Sequence, residues 1–376
     1  MFNIDFLQFL GLFIGSFLVT YLIIPKIILV VKYKHLMDDP NHRSSHSKMI
    51  PSLGGVAFYV VLVLGMYFLQ PLDLSYKSMS LIPGLLILFI MGIKDDLTVL
   101  TPLTKLGAQL LSSAFVLSHP DFQIQNLHGF LYIEHISIFI SIPLSAFIMV
   151  IIINSFNLID GIDGLAASVG IVIFVILGMM FYLLHVHFFL GICLLMIGSL
   201  VAFLRYNLSS TKKIFMGDTG SLLIGFMIAC SVMRLFAIPQ SHLKELPFQL
   251  ENLPLVVMAI LIVPFFDTAR VFTIRILNNK GPFSPDRNHI HHILIDYLHL
   301  SHRKASFLIG VFNVLFVFVF LLFSISMDNL YLTGIMILFI LCFVYFFYRI
   351  NFSHNNLRRR VLIRKQLNQL SKKSFF

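Results

Sequence analysis

The chain has 376 residues, 58% of them hydrophobic and 12% charged, with a mean hydropathy of +0.91 and a formal net charge of +10. No soluble globular class has that composition. Repeated apolar runs of roughly 18 to 22 residues predict an all-α, polytopic membrane protein instead.

About eleven spans are predicted, at 6–31, 53–70, 79–93, 105–119, 136–154, 165–184, 186–204, 219–236, 253–272, 305–325 and 330–349. The third and fourth are short, so nine or ten spans also fit. Residues 1–350 read as one transmembrane domain and 351–376 as a basic tail. The first run lacks a basic n-region and a small-residue cleavage site and is too long for a signal peptide, so it reads as a retained helix. Cys193, Cys230 and Cys342 lie inside apolar spans with no metal or disulfide spacing and read as small core residues. With no Trp in the chain, an interfacial aromatic belt has to rely on Tyr.

Charge sorts the loops. With eleven spans, all but four of the 27 basic residues (Lys26, Lys77, Arg234 and Lys244) fall on one side, in odd-numbered loops, bordering span ends or the tail. The positive-inside rule makes that side cytoplasmic, with the N-terminus outside and the C-terminus inside. Six carboxylates, Asp95, Asp96, Asp160, Asp163, Asp218 and Asp267, and a His-rich stretch lie on or near the same side. The tail, RRRVLIRKQLNQLSKK, reads as attraction to anionic membrane lipid. It has no aromatic interleaving, and no nucleic-acid partner is expected.

In chain order, the polar loop DDPNHRSSHSKMIPSLGG (38–55) carries Arg43 and Lys48, which with backbone amides can contact phosphate. A plain loop is the simpler reading of that segment alone. IKDDLTVLTPLTK (93–105) sets two adjacent carboxylates, Asp95 and Asp96, at a helix end. They repel unless a cation or proton lies beside them, and Lys105 can turn back toward the pair. NSFNLIDGIDGLA (154–166) spaces Asn154, Asn157, Asp160 and Asp163 by three. A continuous helix would align them on one face, whereas Gly161 and Gly164 would break it and let backbone approach a ligand. FMGDTGSL (215–222) places Asp218 before a span, as a metal ligand or, with Thr219, a helix cap. Phe215 beside it can stack on a base. GPFSPDRNHIHHILIDYLHL (281–300) brings Arg287, His289, His291 and His292, suited to a diphosphate, while Asp296 and His299 read better as a surface helix face. Gly11 and Gly15 form one GxxxG, most simply a close helix packing. No internal repeat, P-loop, GxSxG elbow or dinucleotide fingerprint occurs.

The ordered set DDPNHRSSH, IKDDL, NSFNLIDGIDGLA, FMGDTGSL and SPDRNHIHH, all on one membrane face, resembles the polyprenyl-phosphate N-acetylhexosamine-1-phosphate transferases (glycosyltransferase 4 type) over nearly the whole chain. Ile290 separates His289 from His291, as in the GlcNAc branch and unlike the three consecutive histidines of the muramyl-pentapeptide branch. Ser44 stands where the family usually has a Lys after the Arg. The resemblance implies transfer of a sugar 1-phosphate, by default GlcNAc-1-phosphate, from a UDP-sugar to undecaprenyl phosphate. UMP leaves, as the first membrane step of an O-antigen-like surface polysaccharide. It implies Asp218 as a metal ligand, with Asp95 and Asp96 near the lipid phosphate and metal. Lys105, Asp160 and Asp163 take catalytic positions, and Asn157, Phe215, Lys48, Arg287, His289, His291 and His292 bind substrate. Magnesium is the expected cofactor, with manganese as the alternative. Related enzymes include homodimers.

Such a site joins a water-soluble donor to a membrane-held acceptor, so it belongs at the cytoplasmic face of the bacterial inner membrane. Direct attack of the lipid phosphate on the β-phosphorus is the expected route, assisted by deprotonation at Asp95 or Asp96. A covalent aspartyl intermediate is the alternative. Another N-acetylhexosamine donor would keep the chemistry. A secondary transporter would place its carboxylates near the bilayer midplane and show repeat symmetry.

Overall fold

The computed structural model describes residues 2–34, 36–38, 50–72, 77–277, 290, 293–295, 300–347 and 349. Helix α1 spans Phe2–Tyr33, and a two-residue antiparallel pair follows, β1 (Met37–Asp38) with β2 (Ile50–Pro51). Next come α2 (Gly55–Leu69), α3 (Lys77–Leu97), α4 (Pro102–Leu117), α5 (Ile138–Leu158), α6 (Leu165–Leu183), α7 (His187–Asn207) and α8 (Gly217–Phe236). The chain continues through the single turn α9 (Gln240–Leu243), α10 (Leu253–Ile260), α11 (Ile262–Leu277), α12 (His302–Ser326) and α13 (Asn329–Phe347). The protein is multi-pass and all-α. Among the described residues nine helices are long and apolar enough to cross a membrane, or ten if α10 and α11 form one span.

Each of the eleven predicted runs has a helical counterpart, but two are not simple spans. Helix α4 has only 16 residues, which at about 1.5 Å per residue falls short of a bilayer core. The run 253–272 bends by 68° between α10 and α11. Pro264 has no N–H to donate back to Ile260, so the helix breaks there.

Helix α8 is the hub. It packs on α2, α3, α5 and α6, and 94% of its apolar window is buried, against 17% for α13. Its glycines and serines permit close neighbours in a setting where lipid supplies no hydrophobic force between helices. Gly11 and Gly15 do not mediate close packing within the described residues: a Cβ at either would meet nothing within 4 Å. The close approach of α1 and α7 occurs at Gly198, against Phe13 and Ser16.

Candidate active site

The end of α3, the start of α4, the end of α5 and the start of α8 converge at one end of the bundle. Two glycines allow it. A Cβ on Gly92 would stand 2.4 Å from Thr219 Cα, so only glycine lets α3 lie this close to the first turn of α8. Gly217 has φ +72°, and a Cβ there would meet Asp96 Oδ2 at 2.6 Å.

Asp95 and Asp96 point about 100° apart, as consecutive helical residues must, and this resolves their repulsion. Asp96 faces α8. Its Oδ1 accepts from the Asp218 N–H at 2.7 Å, and its Oδ2 accepts from the Thr219 N–H at 3.1 Å and Thr219 Oγ1 at 2.6 Å. The cap of α8 is therefore supplied by another helix, and not by Asp218 or Thr219, because φ at Gly217 turns the first amides of α8 toward α3.

Asp95 faces α4. Its Oδ1 accepts from the Leu100 N–H at 2.8 Å, and its Oδ2 lies 2.5 Å from Lys105 Nζ. The same ammonium bonds Asp218 Oδ2, so two carboxylates from separate helices share one cation. Asp218 Oδ1 is held from the other side by Asn157 Nδ2 at 3.0 Å, and the same amide donates to Ser221 Oγ at 2.8 Å. That uses both hydrogens of the Asn157 amide. One turn back, Asn154 pairs with Gln109 through two amide bonds of 2.7 and 3.1 Å, joining α5 to α4.

The helical face expected from Asn154 to Asp163 stops at Leu158. Gly164, at φ +79°, turns the chain, and its N–H goes to Asn207 Oδ1 at 2.6 Å. Asp160 and Asp163 therefore separate. Asp163 is paired with Lys213 at 2.5 Å, with His302 Nδ1 at 3.9 Å. Lys213 also lies 5.4 Å over the Phe215 ring. Phe215 is fixed by its neighbours in a strand-like contact: its N–H donates to Pro51 O at 2.8 Å and its carbonyl accepts from Gly54 N–H at 3.1 Å. Among the described residues no donor or cation reaches the Asp160 carboxyl. Burial first, then the charges of Asp218, Asp96 and Asp163, push its pKa up to about 8.

Asp267 lies on α11. It is buried, and its Oδ1 accepts from the Ile290 N–H at 2.8 Å, inside the HIHH stretch. Lys48, Arg287, His289, His291 and His292 lie outside the described residues. Lys213, Gln109, Thr219 and Ser221 complete the site without having been singled out as site residues. Thr219 and Ser221 lie inside the FMGDTGSL motif and Lys213 stands two residues before Phe215, whereas Gln109 offered no signal.

Among the described residues no three His, Cys, Asp or Glu side chains gather as a ready metal site. The donor set nevertheless fits a hard divalent cation. Such an ion keeps several waters and needs only one or two protein carboxylates when phosphate oxygens supply the rest. Asp95 Oδ2 and Asp218 Oδ2 already converge on a cation, the Lys105 ammonium.

The glycosyl transferase family 4 model matches residues 78–236, the stretch from α3 through α8. The chain is 31% identical over 305 residues, 80% of each chain, to a Bacillus subtilis protein named a "probable undecaprenyl-phosphate N-acetylglucosaminyl 1-phosphate transferase". It is 30% identical to the decaprenyl-phosphate N-acetylglucosaminephosphotransferase of Mycolicibacterium smegmatis, over 72% of this chain and 71% of that one. It is 28% identical to the undecaprenyl-phosphate alpha-N-acetylglucosaminyl 1-phosphate transferase of Escherichia coli (strain K12), over 75% of each. With the carboxylates of the matched region gathered at one end of its helices, the chain belongs to glycosyl transferase family 4, among the polyprenyl-phosphate N-acetylhexosamine-1-phosphate transferases.

Proposed function

We propose that this protein transfers GlcNAc-1-phosphate from UDP-GlcNAc to undecaprenyl phosphate at the cytoplasmic face of a bacterial inner membrane. The observation that carries the reading is the shared cation between Asp95 and Asp218 at the start of the buried helix α8. The basic loops support a cytoplasmic site, with the N-terminus outside. The reaction brings two polyanions together, so charge neutralisation and positioning are its main requirements. A lipid-phosphate oxygen attacks the β-phosphorus of the donor. The bond from that phosphorus to the oxygen bridging it to the α-phosphate breaks, UMP leaves with that oxygen, and a lipid-linked diphosphosugar remains.

Magnesium, held by Asp218 and Asp95, would neutralise phosphate oxygens and the leaving group when bound. Asn157 holds the orientation of Asp218. The oxygens of Asp95 and Asp96 are already engaged, which favours direct transfer over an aspartyl adduct. Asp160, with no donor or cation on it among the described residues and a pKa raised to about 8, is suited to accept the lipid-phosphate proton. Phe215, with Lys213 over its face, offers a stacking surface for the base.

Purified protein in detergent, given labelled UDP-GlcNAc and undecaprenyl phosphate, should form lipid product with magnesium and none with EDTA. Asp218→Asn should lower the rate by about a thousandfold or more, the scale of losing a principal electrostatic group, with normal membrane expression. Product only with another UDP-N-acetylhexosamine would change the donor and keep the mechanism. No product with any donor would refute the reading.

A further inference from the structure

Lys105 Nζ lies between Asp95 and Asp218, the two carboxylates that would hold a divalent cation. Its backbone is fixed in the first turn of α4. Thr101 caps that helix with Pro102 behind it, accepting from Thr104 N–H at 3.3 Å, and the Lys105 N–H bonds Thr101 O at 3.2 Å. The side chain is long and 26% exposed, so it has an open side into which it can swing. The two carboxylates do not depend on it for their placement. Asp95 Oδ1 is tied to the Leu100 amide and Asp218 Oδ1 to the Asn157 amide. Each therefore turns Oδ2 toward the ammonium, and the two carboxyls also lie within hydrogen-bonding reach of one another.

We propose that Lys105 is an internal, tethered competitor of the divalent ion. In the metal-free protein its ammonium neutralises the Asp95–Asp218 gap. When the ion enters, Lys105 is released from both carboxylates and becomes free to hold a phosphate oxygen of the substrate. One positive charge is exchanged for two, and the ammonium displaced is the right sign and reach for the incoming polyanion. The second ion pair of the site, Lys213 with Asp163, does not have this arrangement, because its ammonium bonds one carboxylate and lies over a ring.

The inference rests on the metal-dependent reading above, and the test separates the two. Manganese affinity is measured on the substrate-free, full-length protein by electron paramagnetic resonance of the free ion, with Asp218→Asn defining binding elsewhere. Removing the competing charge in Lys105→Met should tighten manganese binding by about tenfold or more, a modest share of the effect of one full charge beside the ion. Lys213→Met should change it far less. The same Lys105 variant should lose transfer activity despite its tighter metal. Lys105→Gln serves as a second neutral variant if Lys105→Met does not fold. Equal affinity in wild type and both neutral variants would overturn the competition and leave the metal reading standing. Weaker binding in the variants would also overturn it, since Lys105 would then hold the carboxylates together for the metal. No manganese binding by any form, with EDTA-resistant transfer by the wild type, would remove both.

Discussion

Helices α3 and α8 meet charged groups at both of their ends, and the two ends are built to opposite rules. At the far end Lys77 starts α3 and Arg234 lies in the last turn of α8. Both bond Asp121 Oδ2 from the short turn after α4, at 3.2 and 3.0 Å. Two cations there share one acid, and the contact ties α3, α8 and that turn together. At the other end five carboxylates, Asp95, Asp96, Asp160, Asp163 and Asp218, face two lysines, Lys105 and Lys213. The first arrangement closes on itself and is a clasp. Among the described residues the second holds more acids than cations in a partly buried setting, which is costly unless a cation or protons arrive. The lesson is that one helix pair is pinned at one end by shared ion pairs and, among the described residues, gathers acids at the other.

That contrast can be broken most severely at Asp96. Asp96→Ala removes three hydrogen bonds from the first turn of α8, a loss of about 3 kcal/mol at roughly 1 kcal/mol for each bond. It also unseats Asp218, so both transfer and unfolding temperature in detergent should fall. Asp95→Ala, which breaks no cap, should lower transfer with a smaller thermal shift. Equal thermal shifts in the two variants would contradict the division of roles. At the clasp, Asp121→Ala should cost about 1–2 kcal/mol of stability, the partly exposed carboxylate limiting the loss. Its donor KM should stay near the wild-type value. A large KM change would mean that the two ends are not separable.

The smallest expected effect is a pH dependence set by Asp160. Its pKa is raised to about 8 in the folded protein, above the ordinary 3.8. Protonated, it places no charge in the buried site. As pH climbs from 3.8 toward 8, the unfolded chain has shed this proton while the folded chain retains it, so metal-free stability should decline through that window. Manganese binding beside it favours the ionised form, so the affinity should rise with pH up to about 8 and flatten above it. Asp160→Asn should reduce that slope, and an unchanged slope would assign the proton to another group.

Much of the site was legible because acids are scarce in so apolar a chain, and Asp95, Asp96, Lys105, Asn157 and Asp218 could be read from their positions at helix ends. Their division of labour could not. Whether Asp95 or Asp96 faces α8 depends on how α3 is rotated, and that is set by the approach of Gly92 to Thr219, more than 120 positions away in sequence. Lys213 read equally as a topology signal, because only the return of the chain after α7 brings it to Asp163. The spans were legible as apolar runs, but periodicity does not announce the 68° bend at Leu261, for which Pro264 was the local sign. The GxxxG at Gly11 pointed to packing that the described residues do not make, since a spacing motif cannot say which neighbour is present.

The burial of α8 has a further consequence. Bilayers differ in hydrocarbon thickness, and a span meets a thicker or thinner membrane by tilting or by deforming the lipid around it. That load falls on helices with broad lipid-facing surfaces, such as α1 and α13, which are 28% and 17% buried over their apolar windows. Helix α8, enclosed by its neighbours, feels it only second-hand. The carboxylate frame built on its first turn is thereby insulated from the mechanics of the membrane in which its lipid substrate dissolves.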